Sequence, residues 1–272
     1  MSAAPAGERA FAKLNLVLQV GRPRPDGLHP LCSIFASIDL ADDVEVEPAA
    51  IDSVDCPGVD GPNLAGAAVV AFRERVPALP PLRVRIQKRI PVAAGLGGGS
   101  ADAAAVLRAA NRIAGGPLDA GALRELAARL GSDVPSQLDP QHALVQGVGE
   151  VVEPFELPPL VAVLVPRREG LSTAAVYAEL DRLGGGRERL EPERLRELTE
   201  LTLAGALEND LQPAALSLRP ELAATLDSLR AAGAIAALVS GSGPTCFGLF
   251  RDRAAAAEAA ATIDGAIVSE LR

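Results

Sequence analysis

Pro91-Val92-Ala93-Ala94-Gly95-Leu96-Gly97-Gly98-Gly99-Ser100-Ala101-Asp102 joins a strand-like alternation, Leu82, Val84 and Ile86, to an alanine-rich run of helical character. Four of the five residues from Gly95 to Gly99 are glycine. Without a Cβ the backbone can take positive φ and pass close to a ligand. Ser100 is a favoured N-cap type and predicts a helix from Ser100 to Ala114, closed by Gly115-Gly116-Pro117. The unpaired N–H groups and the dipole of a helix start attract an anion. A glycine-rich turn feeding such a start points to phosphate, and so to nucleotide binding. The plainer alternative is a capping turn that binds nothing, held against the conformational entropy of four glycines.

Neither of the two commonest phosphate loops fits. A Walker A loop ends in Gly-Lys-Ser/Thr, whereas this one ends in Gly99-Ser100 with no lysine. The dinucleotide fingerprint Gly-x-Gly-x-x-Gly opens the first βαβ unit, whereas here its third glycine falls on Ser100, after a long stretch of other structure.

Working outward, residues Arg9 to Val20 alternate. Ala12, Leu14, Leu16, Leu18 and Val20 fall on one face, and Phe11, Lys13, Asn15, Val17 and Gln19 on the other, which predicts a strand with one face in the core. Leu31–Leu40 and Val44–Val46 read as two further strands. Pro62-Asn63 opens a helix to about Val76, Asp119 caps one that ends at Gly131, and Gln141–Gly147 reads as a strand. Pro154 and Pro158-Pro159 mark a seam, dividing the chain into residues 1–157 and 158–272. Beyond it come a strand at Leu160–Val165 and a helix capped by Ser172 and running to about Leu183. Helices at Glu191–Leu207, Pro220–Ala232 and Ala254–Ile263 follow, with strands at Ile235–Ser240 and Thr245–Phe250. The pattern is α+β with mostly antiparallel strands. Ser240-Gly241-Ser242-Gly243-Pro244 is a tight turn between neighbouring strands, and its small side chains suit packing against phosphates or against the first glycine loop.

Composition narrows the function. The chain of 272 residues is 49% hydrophobic and 22% charged, which is globular and sufficient for two small domains. A formal net charge of −9 makes nucleic acid a poor partner, so an anionic nucleotide needs local donors such as backbone amides. Cys32, Cys56 and Cys246 have no metal-like spacing, and their odd number fits a reducing, cytoplasmic setting better than a disulfide framework. No stretch approaches the roughly 18 apolar residues of a membrane span.

Three segments, Ala12-Lys13-Leu14-Asn15-Leu16, the glycine loop and Ser240–Thr245, stand in the order found in the GHMP kinase superfamily, which the chain resembles over nearly its whole length. Asp26-Gly27-Leu28-His29, Gly131-Ser132-Asp133-Val134-Pro135 and Gly147-Val148-Gly149-Glu150 resemble the branch acting on cytidine-diphosphate-linked methylerythritol in non-mevalonate isoprenoid synthesis. The resemblance implies an N-terminal domain like ribosomal protein S5 domain 2, a ferredoxin-like C-terminal domain, and an active site in a cleft between them. It implies ATP-dependent phosphorylation of the 2-hydroxyl of that substrate. Homoserine- or mevalonate-type kinases, or an inactive nucleotide-binding homologue, are the alternatives.

By the same resemblance, Pro91 to Ala101 hold ATP. Asp133 and Lys13 are the catalytic acid–base and cation. Asn15, His29, Leu28 and Tyr177 bind substrate, with His29 on the cytosine edge and Tyr177 stacking on the base. Each has a plainer role: an Asx-turn for Asp133, a solvated strand face for Lys13, a surface turn for His29 and helix packing for Tyr177. Asn63 either contacts adenine or only caps its helix. Mg²⁺ is expected with ATP, held largely by phosphates and water. No protein ligand is assigned, Asp102 being near in sequence but more simply a favourable first-turn acid. The expected partner is a small molecule, with neither nucleic acid nor membrane, and the expected assembly a monomer or homodimer. Two departures stand out: Leu28 where the branch usually has tyrosine, and Ser136-Gln137 where it has apolar or aromatic residues.

Overall fold

The computed structural model describes residues 6–59, 61 and 63–272. The expectation that Pro62 opens a helix lies outside them. The chain is α+β and forms two compact units, each assembled from separate stretches. One unit holds the described residues through Ala12, Leu40–Val92 and Gly97–Pro140; the other holds Lys13–Asp39, Ala93–Leu96 and Gln141–Arg272.

Two long strands, β1 (Ala6–Val20) and β2 (Leu31–Pro48), contribute to both units. In the first unit β2 pairs antiparallel with β4 (Leu82–Gln87), and β4 pairs in parallel with β3 (Ser53–Asp55). The register sets Val44 opposite Ile86 and Val46 opposite Val84. Period-2 alternation buries those four and turns Arg83, Arg85, Glu45 and Glu47 outward, where the arginines pair with the glutamates. Four helices complete the unit: α1 (Leu64–Arg75), α2 (Gly98–Ile113), α3 (Ala120–Leu130) and the short α4 (Val134–Gln137). Alanines 103–105, 109 and 110 of α2 are wholly buried beside Phe72 and Ala68 of α1, so small side chains let the helices approach. Gly115 and Gly116, at φ 85° and 77°, close α2, with the Gly116 N–H on the Asn111 carbonyl at 2.8 Å.

The second unit carries a four-stranded antiparallel sheet in the order β11 (Ile267–Glu270), β7 (Val161–Val165), β10 (Cys246–Phe250), β9 (Ala236–Val239). Its core joins Val163, Val165 and Phe250 to Leu226 and Leu229 of α9 (Leu222–Ala231) and to Ala256 and Ala259 of α10 (Arg253–Ala261). The later part of β1 pairs in parallel with β8 (Glu208–Asn209), and the start of β2 pairs with β5 (Ala143–Gly147), which pairs with β6 (Val151–Pro154). Helices α5 (Thr173–Arg182), α6 (Pro192–Arg196), α7 (Glu200–Ala206) and α8 (Gln212–Leu218) complete it.

Three expectations are corrected. Leu31–Leu40 and Val44–Val46 are one strand, which runs through Asp42, whose side chain is wholly buried and bonded. The helix expected over Glu191–Leu207 is two, α6 and α7, the second opening at Thr199, whose N–H donates to Thr202 Oγ1 at 2.9 Å. The polar face of β1 is not solvated: Lys13, Asn15 and Gln19 are all buried.

Candidate active site

The glycine loop is held from two sides, and each hold lies within one unit. In the second unit the Lys13 N–H donates to the Leu96 carbonyl at 3.0 Å, and the Thr245 N–H to that of Ala94 at 3.2 Å. Ser240 Oγ donates to the Gly95 carbonyl at 2.9 Å. Gly95 has φ 78°, and a Cβ there would lie 2.3 Å from the Ser240 carbonyl oxygen. Only glycine fits, and the second glycine motif therefore packs directly on the first. Ala93 also takes positive φ, at 52°. In the first unit Gly97, with φ 71° and left-handed, is the N-cap of α2, so the helix starts at Gly98. Ser100 is thus a first-turn residue, which corrects its reading as N-cap. The N–H groups of Gly98, Gly99 and Ser100 lie in the first turn, outside the i→i−4 ladder, as an anion cradle requires.

Lys13 and Asn15 meet that second glycine motif. Lys13 Nζ donates to Asn15 Oδ1 at 2.7 Å and lies 4.6 Å from the Phe35 ring centroid. Asn15 Nδ2 donates to Ser33 Oγ at 3.0 Å, and Ser33 in turn to the Val17 carbonyl. A Cβ on Gly241 would stand 3.1 Å from Asn15 Oδ1 and 3.7 Å from Lys13 Nζ. Buried at 5% exposure, Lys13 is not a solvated surface lysine. Three sequence-distant segments, around residues 13, 95 and 241, thus share one unit.

His29 is also buried, its Nδ1 2.9 Å from the Gly21 carbonyl, so that nitrogen carries the proton. Its ring lies 5.0 Å from that of Tyr177 on α5, tilted by 49°, and its Nε2 is 3.4 Å from Asp181. Leu28, next in the turn, is 52% exposed. Asp133 belongs to the first unit, half-buried at the N-terminus of α4, and its carboxylate does not cap that helix. Asn63 does cap α1, accepting from the Gly66 N–H at 2.9 Å.

Two polar clusters have no local sequence signal. Asn209 of β8 donates to the carbonyls of Val239 and Gly241 at 2.7 and 2.8 Å, bracing the second glycine turn from about 30 residues away. Lys88 reaches both Asp42 and Asp102, at 2.5 and 2.8 Å. Burial pushes the Asp102 carboxyl up to about 6, against the pull of Lys88. Because α2 starts at Gly98, Asp102 lies beyond its first turn and is buried, which corrects its reading as a first-turn acid. Among the described residues no group of three or more His, Cys, Asp or Glu side chains could hold a metal ion, and no helix is long and apolar enough to cross a membrane.

Residues 63–141 match the GHMP kinases N terminal domain, and residues 190–266 the GHMP kinases C terminal. The chain is 44% identical over 259 residues to a 4-diphosphocytidyl-2-C-methyl-D-erythritol kinase of Streptomyces avermitilis, covering 90% of this chain and 87% of that one. It is 46% identical over 269 residues to an Anaeromyxobacter protein of the same name, covering 95% and 87%. A crystal structure of a 4-(cytidine 5'-diphospho)-2C-methyl-D-erythritol kinase superposes with TM-score 0.81 at 36% identity, over 97% of this chain and 98% of that one. Homoserine kinase from Cytophaga hutchinsonii, at TM-score 0.68 and 17% identity over 98% and 94%, shares the fold.

Proposed function

The chain belongs to the GHMP kinases and, within them, to the 4-diphosphocytidyl-2-C-methyl-D-erythritol kinase family, and from that premise we propose that it transfers the ATP γ-phosphoryl group to the 2-hydroxyl of 4-diphosphocytidyl-2-C-methyl-D-erythritol. The observation that carries this reading is the convergence of Lys13, Asn15, Gly95 and Ser240-Gly241 in one unit, with the lysine amine buried beside bare backbone.

Phosphoryl transfer rests mainly on positioning and charge stabilisation. The first-turn amides of Gly98, Gly99 and Ser100 hold the phosphates, with the Pro91–Gly97 turn before them and Ala101, whose N–H closes on the Gly97 carbonyl, behind them. Mg²⁺ arriving with ATP would be held by phosphate and water and would supply neutralisation of the phosphate charge. Asp133 accepts the proton of the substrate hydroxyl. Lys13, aligned by Asn15, offsets charge on the group in transfer. Asn15 also contacts substrate. His29 reads the cytosine edge, with Tyr177 and Leu28 as its apolar walls. Asn63, whose carbonyl oxygen caps α1, offers its amide to adenine. A division at residues 157/158, a cytoplasmic location and a monomeric or homodimeric state complete the proposal.

A coupled ADP-release assay with the cytidyl substrate tests it. Asp133→Asn and Lys13→Met are each expected to lose at least about 10²-fold in kcat, the scale of a positioned acid–base or electrostatic group. Equal turnover by parent and both variants would reject these roles.

A further inference from the structure

Both ends of the glycine loop are tied, within the first unit, to one ammonium group. Asp42 of β2 is wholly buried. Its Oδ1 accepts the N–H groups of Arg89 and Ile90, at 2.5 and 2.8 Å, where the chain leaves β4 for the loop. Its Oδ2 accepts Lys88 Nζ at 2.5 Å. The same Nζ donates to Asp102 Oδ2, at 2.8 Å, the fifth residue of α2, just past its first turn where the chain leaves the loop. Gly98 makes this approach possible, since a Cβ there would lie 2.9 Å from Ile90 Cγ2 and 3.3 Å from Lys88 Nζ.

As a stabilising device the arrangement is poor. Two carboxylates share one cation, the Asp102 side chain is 5% exposed, and its Oδ1 has no hydrogen-bond partner. Buried ion pairs are often no better than apolar packing, and an unpartnered buried oxygen is costly. What the cluster does supply is a fixed separation between the entering strand and the departing helix.

We infer that Lys88 and Asp102 are positioning residues for the nucleotide: the Asp42–Lys88–Asp102 triad holds the loop's two ends at the spacing that lets the first-turn amides of α2 bind phosphate. This rests on the ATP reading above. The test measures ADP binding by calorimetry, KM for ATP and for the cytidyl substrate, and thermal unfolding. It compares the parent with Lys88→Met, Asp102→Asn and their double variant, and takes Arg85→Met, on the exposed face of the same strand, as control. Lys88→Met leaves two buried carboxylates facing each other, so the melting temperature falls and ADP binding weakens at least tenfold. Adding Asp102→Asn removes one of those charges. The melting temperature then recovers, while ADP affinity stays at least tenfold low because the tether is gone. KM for the cytidyl substrate stays within twofold throughout.

A purely structural triad would make affinity recover together with the melting temperature, and that result overturns the inference. So does parental ADP affinity in folded Lys88→Met. Should that single variant not fold, the double variant decides by the same affinity criterion. A parent that binds no ADP overturns the proposed function and this inference together, whereas parental affinity in the variants overturns this inference alone.

Discussion

Lys13 and Leu28 show how far a side chain's role depends on what covers it. An amine on a strand's polar face reads as solvated, yet Lys13 is buried, bonded to Asn15 and set over an aromatic ring. Burying a cation is costly unless polar or aromatic groups meet it, so its burial signals a built site. That signal is absent from the local sequence, because the covering atoms come from Phe35 and the turn at Gly241. Leu28 is the opposite case. Its exposure and aliphatic chain leave one side of the proposed base site without a ring face. Its backbone is well fixed, the N–H on Asp26 Oδ1 at 3.1 Å and the carbonyl on the Arg24 N–H at 2.8 Å, so a larger side chain can be added without disturbing the turn. Base–aromatic stacking is worth roughly 1–3 kcal/mol. Leu28→Tyr is therefore expected to lower KM for the cytidyl substrate by about fivefold to a hundredfold, with KM for ATP unchanged. Steady-state kinetics with each substrate varied in turn check this, and an unaltered cytidyl KM would remove Leu28 from the base site.

The glycine loop, as an element, was legible because its signal is local: four glycines between a period-2 run and an alanine-rich run. What holds it was not. Gly95 is fixed by the Ser240 and Gly243 carbonyls, Ala94 by Thr245, and the loop roots by Asp42, all far apart in the chain. Even the N-cap lies three residues before Ser100, because Gly97 caps through left-handed backbone and not through a side chain. Two glycines separate the conformational cost from the packing cost. Gly116 has φ 77° and nothing within 4 Å of a built Cβ, whereas Gly95 has φ 78° and carbonyl oxygens at 2.3 and 2.9 Å. Alanine at 116 should lose roughly 1–2 kcal/mol, the left-handed penalty alone. Alanine at 95 adds an overlap with fixed backbone, worth roughly another 1–3 kcal/mol, and displaces the loop. Urea unfolding of the two variants tests the difference, and equal losses would show that the second glycine turn does not constrain the first.

At the scale of the whole molecule, ionisable groups pull stability in opposite directions with pH. Glu179 is held down to about 2 by hydrogen bonds from Arg182 and Ser217. Arg196 lowers Glu153, and Arg219 lowers Glu221. Each of these favours the folded state above the ordinary carboxylate value of 4.5 and loses that contribution as pH falls below it. Asp102 has the reverse sign, because burial raises it from 3.8 to about 6. Between those values the folded chain holds a proton that the unfolded chain has released, so unfolding becomes easier as pH rises through 6. Asp102 therefore opposes these glutamates, and between pH 5 and 7 it also opposes His142, whose value burial lowers from 6.5 so that it favours the folded state as pH rises. Between pH 5 and 7 the Asp102 contribution is worth at most about 1.4 kcal/mol, the one pKa unit between 5 and 6 at 1.36 kcal/mol. Denaturant titrations at pH 5 and 7 on the parent and Asp102→Asn isolate it: toward pH 7 the parent should lose more stability, or gain less, than the variant, which has no proton to exchange at that position and keeps the acid-side loss set by the glutamates. If parent and variant change alike between pH 5 and 7, the carboxyl of Asp102 is already ionised at ordinary acidity, and the buried triad carries its excess negative charge without penalty.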